Sequence, residues 1–456
     1  MTILGYFEDQ VGAKLAEVLS ASHPINSIEH LKGRDKELET IRRSLYAPGR
    51  HIFIVGDRGV GKSSLAATAA FGYQSSDSTP IFVSGSPSDT FNTVIANIAS
   101  QAVRYPRTEN IKSTQSFSIQ ISGITIGAGT ERSDIDIAAA IRSVGDAVEI
   151  LSQIAERHSE KPVVVVDEFD AIRDGNERNM FAALLKQMGD RAINIKFIFT
   201  GIAKSLDELL GAHQSAHRQL ETIELPKLGW EARHEIVESA VAAFGLDVDE
   251  RVRWRIAMVS DGYPYYVHSI TEKTLWAAFS AEDPVIEIGW DLFSLGLRDA
   301  ISSINAELKR PYEKAVLHRD PEFEDIVWST ADHEDLVRSL NDMYESYKVI
   351  VAKRADGRTK IERSRYASQV RKLKGLSFGS VMRQEEDRPG WYSYREKMLR
   401  GYVRMQAEAN GIELIGERPN PRQAMHVANA RSGYRGSSLP PGVRTGRKIS
   451  DLGGGS

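Results

Sequence analysis

The stretch Gly56-Asp57-Arg58-Gly59-Val60-Gly61-Lys62-Ser63 decides the fold of this chain. It has the spacing G-x-x-x-x-G-K-[ST] and stands between an apolar run, residues 51–55, and a helix-forming run, residues 64–70. A strand, a glycine-rich loop and a helix in this order form a P-loop, in which backbone N–H groups and the helix N-terminus bind phosphate. The stretch therefore predicts a nucleoside triphosphate site.

The side chains of this loop have different predicted roles. Lys62 is expected to neutralise the β- and γ-phosphates, and the hydroxyl of Ser63 to occupy one position on Mg²⁺. The implied cofactors are ATP and Mg²⁺. The nucleotide-binding residues predicted here are Gly56, Asp57, Arg58, Gly59, Val60, Gly61, Lys62, Ser63 and Ser64.

A second apolar run, residues 163–166, ends in carboxylates. An uninterrupted apolar run is typical of a strand buried on both faces of a parallel sheet, and ligands bind at the carboxyl ends of such strands. We expect Asp167 to hold Mg²⁺ and Glu168 to polarise an attacking water, which favours hydrolysis over binding alone. Asp170 is interpreted as a helix-cap or turn residue.

Strands and helices alternate along the first half of the chain, which predicts a doubly wound parallel α/β sheet. Thr200, at the end of one of these strands, is expected to contact the γ-phosphate or to orient water. Further strands are predicted at 80–83, 194–201 and 222–225, and helices at 62–73, 90–103, 134–157 and 176–188.

Residues 116–127 alternate polar and apolar side chains around a Ser-Gly turn. This period of two predicts a β-hairpin inserted near 115–129. The hairpin is either a structural flap or a loop that engages a neighbouring subunit or a nucleic acid.

These segments in this order resemble the AAA+ ATPases, in particular the branch shared by origin-recognition ATPases, transposition ATPases and STAND signalling ATPases. The resemblance covers residues 30–282 and is carried by 33–38, the P-loop, 163–168 and 199–201. It implies that Arg34 lies on the adenine side of the nucleotide. Arg218 stands where the family carries its arginine finger, so it is either a surface arginine or a residue that reaches a neighbour's γ-phosphate.

The resemblance also implies a helical lid, residues 227–300. The family's lid often carries a Gly-x-x-Arg element, but here its place is taken by Gly262-Tyr263-Pro264-Tyr265. This is similar to the Gly-x-Pro module of STAND proteins, which makes Pro264 a predicted nucleotide contact. The missing arginine leaves open slow hydrolysis, as in a switch.

Residues 301–415 resemble a winged helix, with wing strands expected near 378–382 and 391–394. A helix at 361–374 would present cations for phosphates and base edges of duplex DNA. A helix over 394–409, with Arg395, Lys397, Arg400 and Arg404, is expected to add positive charge. The alternative is a basic face on a protein-binding winged helix. The predicted DNA-binding residues are Arg363, Arg365, Arg371, Lys372 and Lys374.

The charge of the chain is divided unequally. Residues 351–456 carry 22 Lys and Arg against 10 Asp and Glu, and the other 350 residues carry 36 against 52. Basic segments of this kind usually meet nucleic acid, an acidic partner or anionic lipid. The tail, residues 416–456, is rich in Gly, Pro, Arg and Ser and is predicted to be disordered.

Length and composition limit the number of domains and the kinds of site that the chain can form. With 456 residues and an ordinary apolar content, the chain should hold two or three domains. The chain has no cysteine, which excludes disulfides and Cys-based zinc sites. Neither a signal peptide nor a membrane span is evident, so a cytoplasmic protein is expected. The predicted boundaries are 1–31 for an N-terminal segment, 32–226, 227–300, 301–415 and 416–456.

Two functions fit these observations. The first is a DNA-associated AAA+ ATPase that assembles on duplex DNA with ATP and recruits another factor. The second is a STAND-type switch in which ATP controls the lid and the winged helix, and a partner protein engaged by the winged helix or the tail is the output. Both predict an ATP-dependent homo-oligomer.

Overall fold

The computed structural model describes residues 6–19, 25, 27, 29–76, 78–104, 118–121, 124–127, 134–212 and 216–414. The predicted disordered tail, 416–456, lies outside the described residues. Within the described residues, no helix has the length and apolar character needed to cross a membrane.

A parallel sheet of five strands forms the centre of the nucleotide-binding part. Its order is β2-β5-β6-β1-β7, and every neighbouring pair is parallel. The predicted doubly wound α/β fold is therefore confirmed. The strands are β1 (His51–Val55), β2 (Ile81–Ser84), β5 (Val163–Asp167), β6 (Lys196–Gly201) and β7 (Leu220–Glu224).

The two faces of this sheet belong to different cores, because successive side chains of a strand point to opposite faces. Ile52 and Ile54 of β1 pack into one core with helices that precede and follow the strand. Phe53 and Val55 pack into the other, against helices on the opposite side. The helices around the sheet are α1 (Glu8–Val18), α2 (Asp35–Tyr46), α3 (Lys62–Tyr73), α4 (Phe91–Arg104), α5 (Asp134–Ala140), α6 (Val144–Arg157), α7 (Gly175–Asp190), α8 (Ala203–Ala212) and α9 (Ala216–Gln219).

The single helix expected over 134–157 is wrong, because the structure has two helices, α5 and α6, separated near residue 142. Ser143 has an extended backbone, and its hydroxyl accepts a hydrogen bond from the N–H of Asp146. Such a serine caps a new helix N-terminus and therefore interrupts a longer one. Just before α5, β3 (Ser118–Ile121) and β4 (Ile124–Gly127) form an antiparallel hairpin, and Gln153 of α6 hydrogen-bonds the backbone of Gln120.

A group of helices follows the sheet and packs on the core that contains Ile52. Its helices are α10 (Trp230–Ala243), α11 (Glu250–Val259), α12 (Pro264–Phe279) and α13 (Trp290–Ser303). Pro264 is the first residue of α12, a position where its missing N–H costs nothing. The short strands β8 (Asp247–Val248) and β9 (Glu287–Ile288) pair in parallel between these helices.

The C-terminal region, residues 306–414, belongs to the same compact unit as the sheet and the lid. Its three-stranded antiparallel sheet has the order β10-β12-β11. The expected strand near 378–382 starts later, because Phe378 lies in a 3-10 turn and the strand begins at Met382. The elements are α14 (Ala306–Val316), α15 (Glu322–Ala331), β10 (Val337–Ser339), α16 (Leu340–Lys353), α17 (Arg363–Lys372), β11 (Met382–Gln384), β12 (Trp391–Tyr394) and α18 (Leu399–Ala409).

Candidate nucleotide site

The P-loop joins the central strand β1 to α3 at the carboxyl edge of the sheet. Gly59 and Gly61 have φ values of 79° and 96°, in the left-handed region that glycine adopts without strain. A Cβ atom on Gly56 would lie 2.7 Å from the carbonyl oxygen of Leu225, so the backbone here is closely packed against the end of β7. The loop therefore has the backbone freedom and the tight support that a phosphate cradle requires.

Lys62 lies at the first position of α3. Its Nζ donates to the carbonyl oxygens of Gly56 and Asp57, at 3.0 Å and 2.9 Å. Burial lowers the pKa of Lys62, while the carboxylates of Asp170 and Asp167 act in the opposite direction. The ammonium group is thus bonded to its own loop and surrounded by acidic side chains.

Thr200 connects the acidic residues of the site. Its hydroxyl donates to Oδ1 of Asp167 and accepts a 3.1 Å hydrogen bond from the N–H of Glu168. The strand order explains the contact between Thr200 and Asp167, because β6, which carries Thr200, lies between β1 and β5. In the register of the sheet, Thr200 is paired with Ile54 of β1. The sheet thereby brings Thr200, Asp167 and Glu168 to the edge that carries the P-loop.

Glu168 has a left-handed backbone, with a φ of 51°. A residue other than glycine seldom adopts this conformation, and such strain clusters at functional sites. Gly85 lies so close that a Cβ atom on it would be 2.6 Å from the Glu168 carbonyl oxygen. The side chain of Glu168 is exposed at the carboxyl edge of the sheet.

Asp170 was interpreted from the sequence as a cap or turn residue. Among the carboxylates near Lys62, however, it has the largest effect in raising the pKa of that lysine.

Arg34 is buried and holds the loop in place. Its guanidinium donates to the carbonyl oxygens of Val60 and Pro226, at 3.1 Å and 2.7 Å. Burial lowers its pKa, which the carboxylate of Glu37 partly offsets. Arg34 is thus near the predicted adenine side, but in this structure it binds protein backbone.

A narrow cavity of about 30 Å³, the base cavity, lies between the loop and the lid. It holds about one water molecule, whereas sites for small ligands usually measure roughly 300–1,000 Å³. Burial, with a smaller effect from His30, lowers the pKa of His268 in its wall to about 4. The cavity is lined by Ile25, His30, Leu31, Lys32, Arg34, Val60, Gly61, Ser64, Leu228, Ile236, Pro264 and His268.

The C-terminal region contacts the tip of the P-loop directly. Lys397 donates to both carboxylate oxygens of Asp57, at 2.7 Å and 2.9 Å. Met398 packs so closely that a Cβ atom on Gly59 would lie 2.3 Å from its sulfur. Arg58 pairs with Glu307 of α14 at 2.9 Å. Three residues that were predicted to bind nucleotide are therefore in contact with residues far along the chain, namely Asp57, Arg58 and Gly59.

A buried ion cluster lies behind this contact. Asp261, which is fully buried, accepts from Arg400 at 2.6 Å, from Arg404 at 2.8 Å and from Lys227 at 2.9 Å. Burial raises the pKa of Asp261, but the three cations outweigh this and hold it well below its usual range. The expectation that Arg400 and Arg404 add surface charge is therefore wrong, because both lie inside and pair with the lid.

Arg218 is not brought to this site within the chain. It is exposed and lies two residues before Leu220, which pairs with His51 at the amino end of β1. The P-loop follows the other end of β1. Arg218 therefore cannot contact the phosphates bound by its own chain, and the prediction that it reaches a neighbour's nucleotide stays a prediction.

The predicted DNA-binding cations lie on or just after α17. Arg363, Arg365, Arg371 and Lys372 are exposed, and Arg363 donates to Oδ1 of Asn341 at 3.0 Å. Arg365 pairs with Glu322 at 3.0 Å, and Lys374 donates to Gln384 at 3.0 Å. The exposed face of α17 is therefore basic, but some of its cations already bind neighbouring side chains.

The sequence indicated Lys397 only as a source of positive charge, and it did not indicate the pairing of Lys397 with Asp57, the contact of Met398 or the role of Asp261. Asp261 immediately precedes the Gly262-x-Pro264 element, which was a usable signal. No comparable signal in the sequence indicated the pairing of Lys397, because its partner Asp57 lies 340 residues away.

Residues 30–198 match a family model described as AAA ATPase domain. The predicted likeness to AAA+ ATPases is thus confirmed over this part of the chain. The Walker-type ATPase of Pyrococcus abyssi is similar in fold, with 17% identity and a TM-score of 0.50 over 84% of this chain and 98% of that chain.

Two further solved structures are similar at lower scores. The ORC2 protein of Aeropyrum pernix has 14% identity and a TM-score of 0.45, over 86% of this chain and 98% of that chain. The RuvB Holliday junction branch migration motor of Thermotoga maritima has 13% identity and a TM-score of 0.42, over 85% and 98%. No curated protein matches the sequence.

Proposed function

We propose that this chain is an ATP-hydrolysing AAA+ switch, in which ATP binding releases the C-terminal region from the P-loop so that it can associate with duplex DNA. The observation that supports this best is the pair of contacts at the loop tip, Lys397 with Asp57 and Met398 with Gly59. Because this region contacts the P-loop, binding of a nucleotide to the loop would change the equilibrium between its bound and released positions.

The residues at the carboxyl edge of the sheet fit ATP hydrolysis. Lys62 would leave its own loop carbonyls for the β- and γ-phosphates, and Glu168 would orient the attacking water. Ser63 and Asp167 would hold Mg²⁺, which neutralises charge on the phosphates. Thr200 would fix Asp167 and the backbone of Glu168 in position. Since the described residues contain no cluster of three or more His, Asp or Glu suited to a metal, the phosphates would complete the coordination.

Three features indicate that the structure is a closed conformation. Lys62 is bonded to its own loop, the base cavity holds about one water, and Lys397 neutralises Asp57. Entry of a nucleotide requires the walls of this cavity to separate. Because Pro264 lines the cavity and its loop carries Asp261, lid movement would be transmitted to α18 through the buried cluster.

The proposed DNA contact is α17. From α15 to β12, the chain forms a helix, a strand, two helices and two strands, which is the order of a winged helix. In that arrangement α17 would be the helix that faces the DNA groove. Its exposed cations, Arg363, Arg371 and Lys372, would contact phosphates and base edges.

A second candidate output is a partner protein. Two observations favour it, namely that Arg365 and Lys374 are engaged by neighbouring side chains, and that Arg400 and Arg404 are buried. The outward charge of this region is therefore smaller than the sequence suggests.

The mass of the Glu168→Gln protein with ATP and Mg²⁺, measured with and without duplex DNA, separates these outputs. Glu168→Gln should bind ATP without turning it over, and Lys62→Ala, the control, should not bind ATP. A DNA-associated ATPase gives an ATP-dependent complex on DNA that weakens steeply with salt. Self-association with ATP but no DNA complex at low salt supports the partner-protein output instead. A Glu168→Gln protein that hydrolyses ATP normally contradicts the assigned mechanism.

Substitutions on α17 test the DNA surface. Arg371→Ala and Lys372→Ala should each weaken DNA binding and lower the salt slope by about one. Arg43→Ala is the matched control, because Arg43 is an exposed arginine on α2, far along the chain from α17. Equal effects of all three substitutions would rule out α17 as the specific contact.

A further inference from the structure

The lid and the C-terminal region are joined by buried ion pairs near both ends of α18. Near its start, Arg400 and Arg404 bind Asp261 of the lid, and all three side chains are buried. Near its end, Glu408 accepts a 2.8 Å hydrogen bond from Nε of Arg255 in α11, and both side chains are buried. Residues eight positions apart are separated by about 12 Å along the axis of an α-helix. Helix α18 is therefore held at two distant points and cannot turn on the lid without breaking one of these pairs.

Close packing accompanies these ion pairs. Tyr266 of α12 is fully buried, and its hydroxyl donates to the carbonyl oxygen of Met398 at 2.9 Å. A Cβ atom on Gly401 would lie 2.6 Å from the ring of Tyr266, so the backbone of α18 lies directly against the lid. Separating α18 from the lid would expose this contact and leave buried charges without partners, which is strongly unfavourable.

The contacts between the C-terminal region and the P-loop are more exposed. The side chains of Lys397 and Asp57 are 40% and 37% exposed, and the pair between Arg58 and α14 is more exposed still. Met398 packs on Gly59 without a directional bond. Exposed ion pairs contribute little to stability, whereas loss of one partner from a buried pair is strongly destabilising. If ATP separates the C-terminal region from the loop, the contacts that break are therefore these, and the region keeps its contacts with the lid.

The chain that follows β7 connects the sheet to the lid. The carbonyl oxygen of Pro226 accepts a 2.7 Å hydrogen bond from Arg34, which precedes α2 and lies on the sheet side. The next residue, Lys227, donates to Asp261 at 2.9 Å, and the N–H of Leu228 donates to the loop that carries Asp261, also at 2.9 Å. The chain thus passes from the sheet side to the lid side between Pro226 and Lys227.

We infer that the lid and the C-terminal region turn together as one body about the peptide between Pro226 and Lys227. The base cavity and the loop tip therefore open in a single step, because Pro264 of the cavity wall and Lys397 at the loop tip belong to the same body. The inference rests on the proposed function, since it requires ATP to open the protein. It adds which part moves, and it excludes a C-terminal region that swings away from a stationary lid.

Three pairs of spin labels test this in the Glu168→Gln protein, which should keep ATP intact. The labels are placed at three exposed positions, Arg191→Cys after α7, Glu282→Cys in the lid and Asp387→Cys in the C-terminal region. With ATP and Mg²⁺, both distances from residue 191 should shift, while the distance between residues 282 and 387 should keep its nucleotide-free distribution. A shift between residues 282 and 387 would overturn the inference and leave the proposed function standing. Three unchanged distances would overturn the proposed function, and the inference with it.

A substitution near the end of α18 tests the coupling. Glu408→Gln keeps the volume and removes the charge that pairs with Arg255, so this end of α18 should loosen from the lid. With ATP, the distribution between residues 282 and 387 should broaden. Glu238→Gln, which removes a more exposed partner of Arg253 within the lid, is the matched control and should leave the distribution narrow. Equally narrow distributions in both variants would contradict the role of the buried pair.

Hydrogen exchange locates the hinge. The N–H of Leu228 should remain protected when ATP binds, because its acceptor, the carbonyl oxygen of Gly262, moves with it. Loss of this protection with ATP would place the hinge after Leu228 and overturn its assignment to the peptide between Pro226 and Lys227.

Discussion

At the scale of single residues, Thr200 has the central structural role in the candidate site. Its hydroxyl contacts Asp167 and the backbone of Glu168, so it fixes the predicted metal ligand and the predicted base at once. The N–H of Glu168 also donates to Oδ1 of Asp167, at 3.1 Å, so both side chains hold the strained backbone of Glu168. Lys62, Asp167 and Glu168 could be named from sequence, because each belongs to a short local motif. The pairing of Thr200 with Asp167 depends on strand order, which a local pattern does not contain.

Replacing Thr200 by Val should therefore impair turnover more than binding. Valine keeps the volume and removes the hydroxyl, so Asp167 and Glu168 lose their shared support. We expect ATP turnover to fall about 10- to 100-fold, as for other groups that position a reacting set. ADP affinity should change less than threefold. Turnover assays and ADP titration check this, and equal losses in both would contradict it.

His51, at the start of β1, predicts an acid-dependent loss of stability. It is buried, and its Nδ1 accepts a hydrogen bond from the N–H of Phe197. Burial, with the charge of Lys196, lowers the pKa of His51 to about 3, against an ordinary value of 6.5. Between these values the unfolded chain binds more protons than the folded one, so the stability contributed by neutral His51 is lost as pH falls.

His51→Asn tests this, because asparagine offers an acceptor near the Nδ1 position and does not titrate. Between pH 7 and 5, the His51 protein should lose about 2 kcal/mol more than the variant in the free energy of unfolding. Denaturant unfolding at both pH values measures the difference. Parallel pH profiles for the two proteins would exclude a role for this imidazole.

At the scale of elements, the loop before α12 and helix α18 are joined by the Asp261 cluster. Asp261, Arg400 and Arg404 are all essentially inaccessible to solvent. Desolvated ions are costly, and here Asp261 is stabilised by its cationic partners, while Arg400 and Arg404 also donate to backbone carbonyls. The cluster therefore makes the position of α18 depend on the lid.

Breaking this cluster should be far more damaging than breaking the exposed pair at the same interface. Asp261→Asn leaves three cations without their carboxylate and should destabilise by about 3–5 kcal/mol. Glu307→Ala, the control, removes a partner of Arg58 from an exposed pair and should cost less than about 1 kcal/mol. Thermal unfolding of both variants measures the contrast, and similar losses would contradict the argument.

Most elements near the nucleotide site could be predicted, since hydrophobic runs, glycines and caps act locally. The strands β1, β5 and β6 follow from uninterrupted apolar runs. The break between α5 and α6 was missed, because a single capping serine, Ser143, outweighed a continuous helical pattern. Arg400 and Arg404 were misplaced for another reason, since a charged residue gives no sign that it will be buried against a distant partner.

At the scale of the whole molecule, the C-terminal region lies against the tip of the P-loop. Sequence charge suggested an acidic body and a basic C-terminal end. The structure shows that part of this positive charge is directed inward, to Asp57 and Asp261. Both contacts join residues more than a hundred positions apart, which is why no motif could reveal them.

Lys397→Met should therefore favour the open arrangement. Methionine keeps most of the side-chain stem and removes the ammonium that pairs with Asp57. Because this pair is partly exposed, we expect only a two- to fivefold gain in ATP affinity, or about 0.4–1 kcal/mol. Lys348→Met, which removes an exposed pair with Glu345 on α16, is the matched control. Weaker ATP binding in Lys397→Met would mean that Lys397 supports the nucleotide instead.

The central claim is that ATP separates the C-terminal region from the P-loop, and a spin-label distance measurement tests it most directly. The chain has no cysteine, so labels can be placed at Arg191→Cys and Asp387→Cys, both exposed, without removing native thiols. In the Glu168→Gln protein, ATP with Mg²⁺ should add a longer distance, and the nucleotide-free protein should show a single shorter one. Lys62→Ala should keep the shorter distance under all conditions. The same distance distribution with and without ATP would contradict the account.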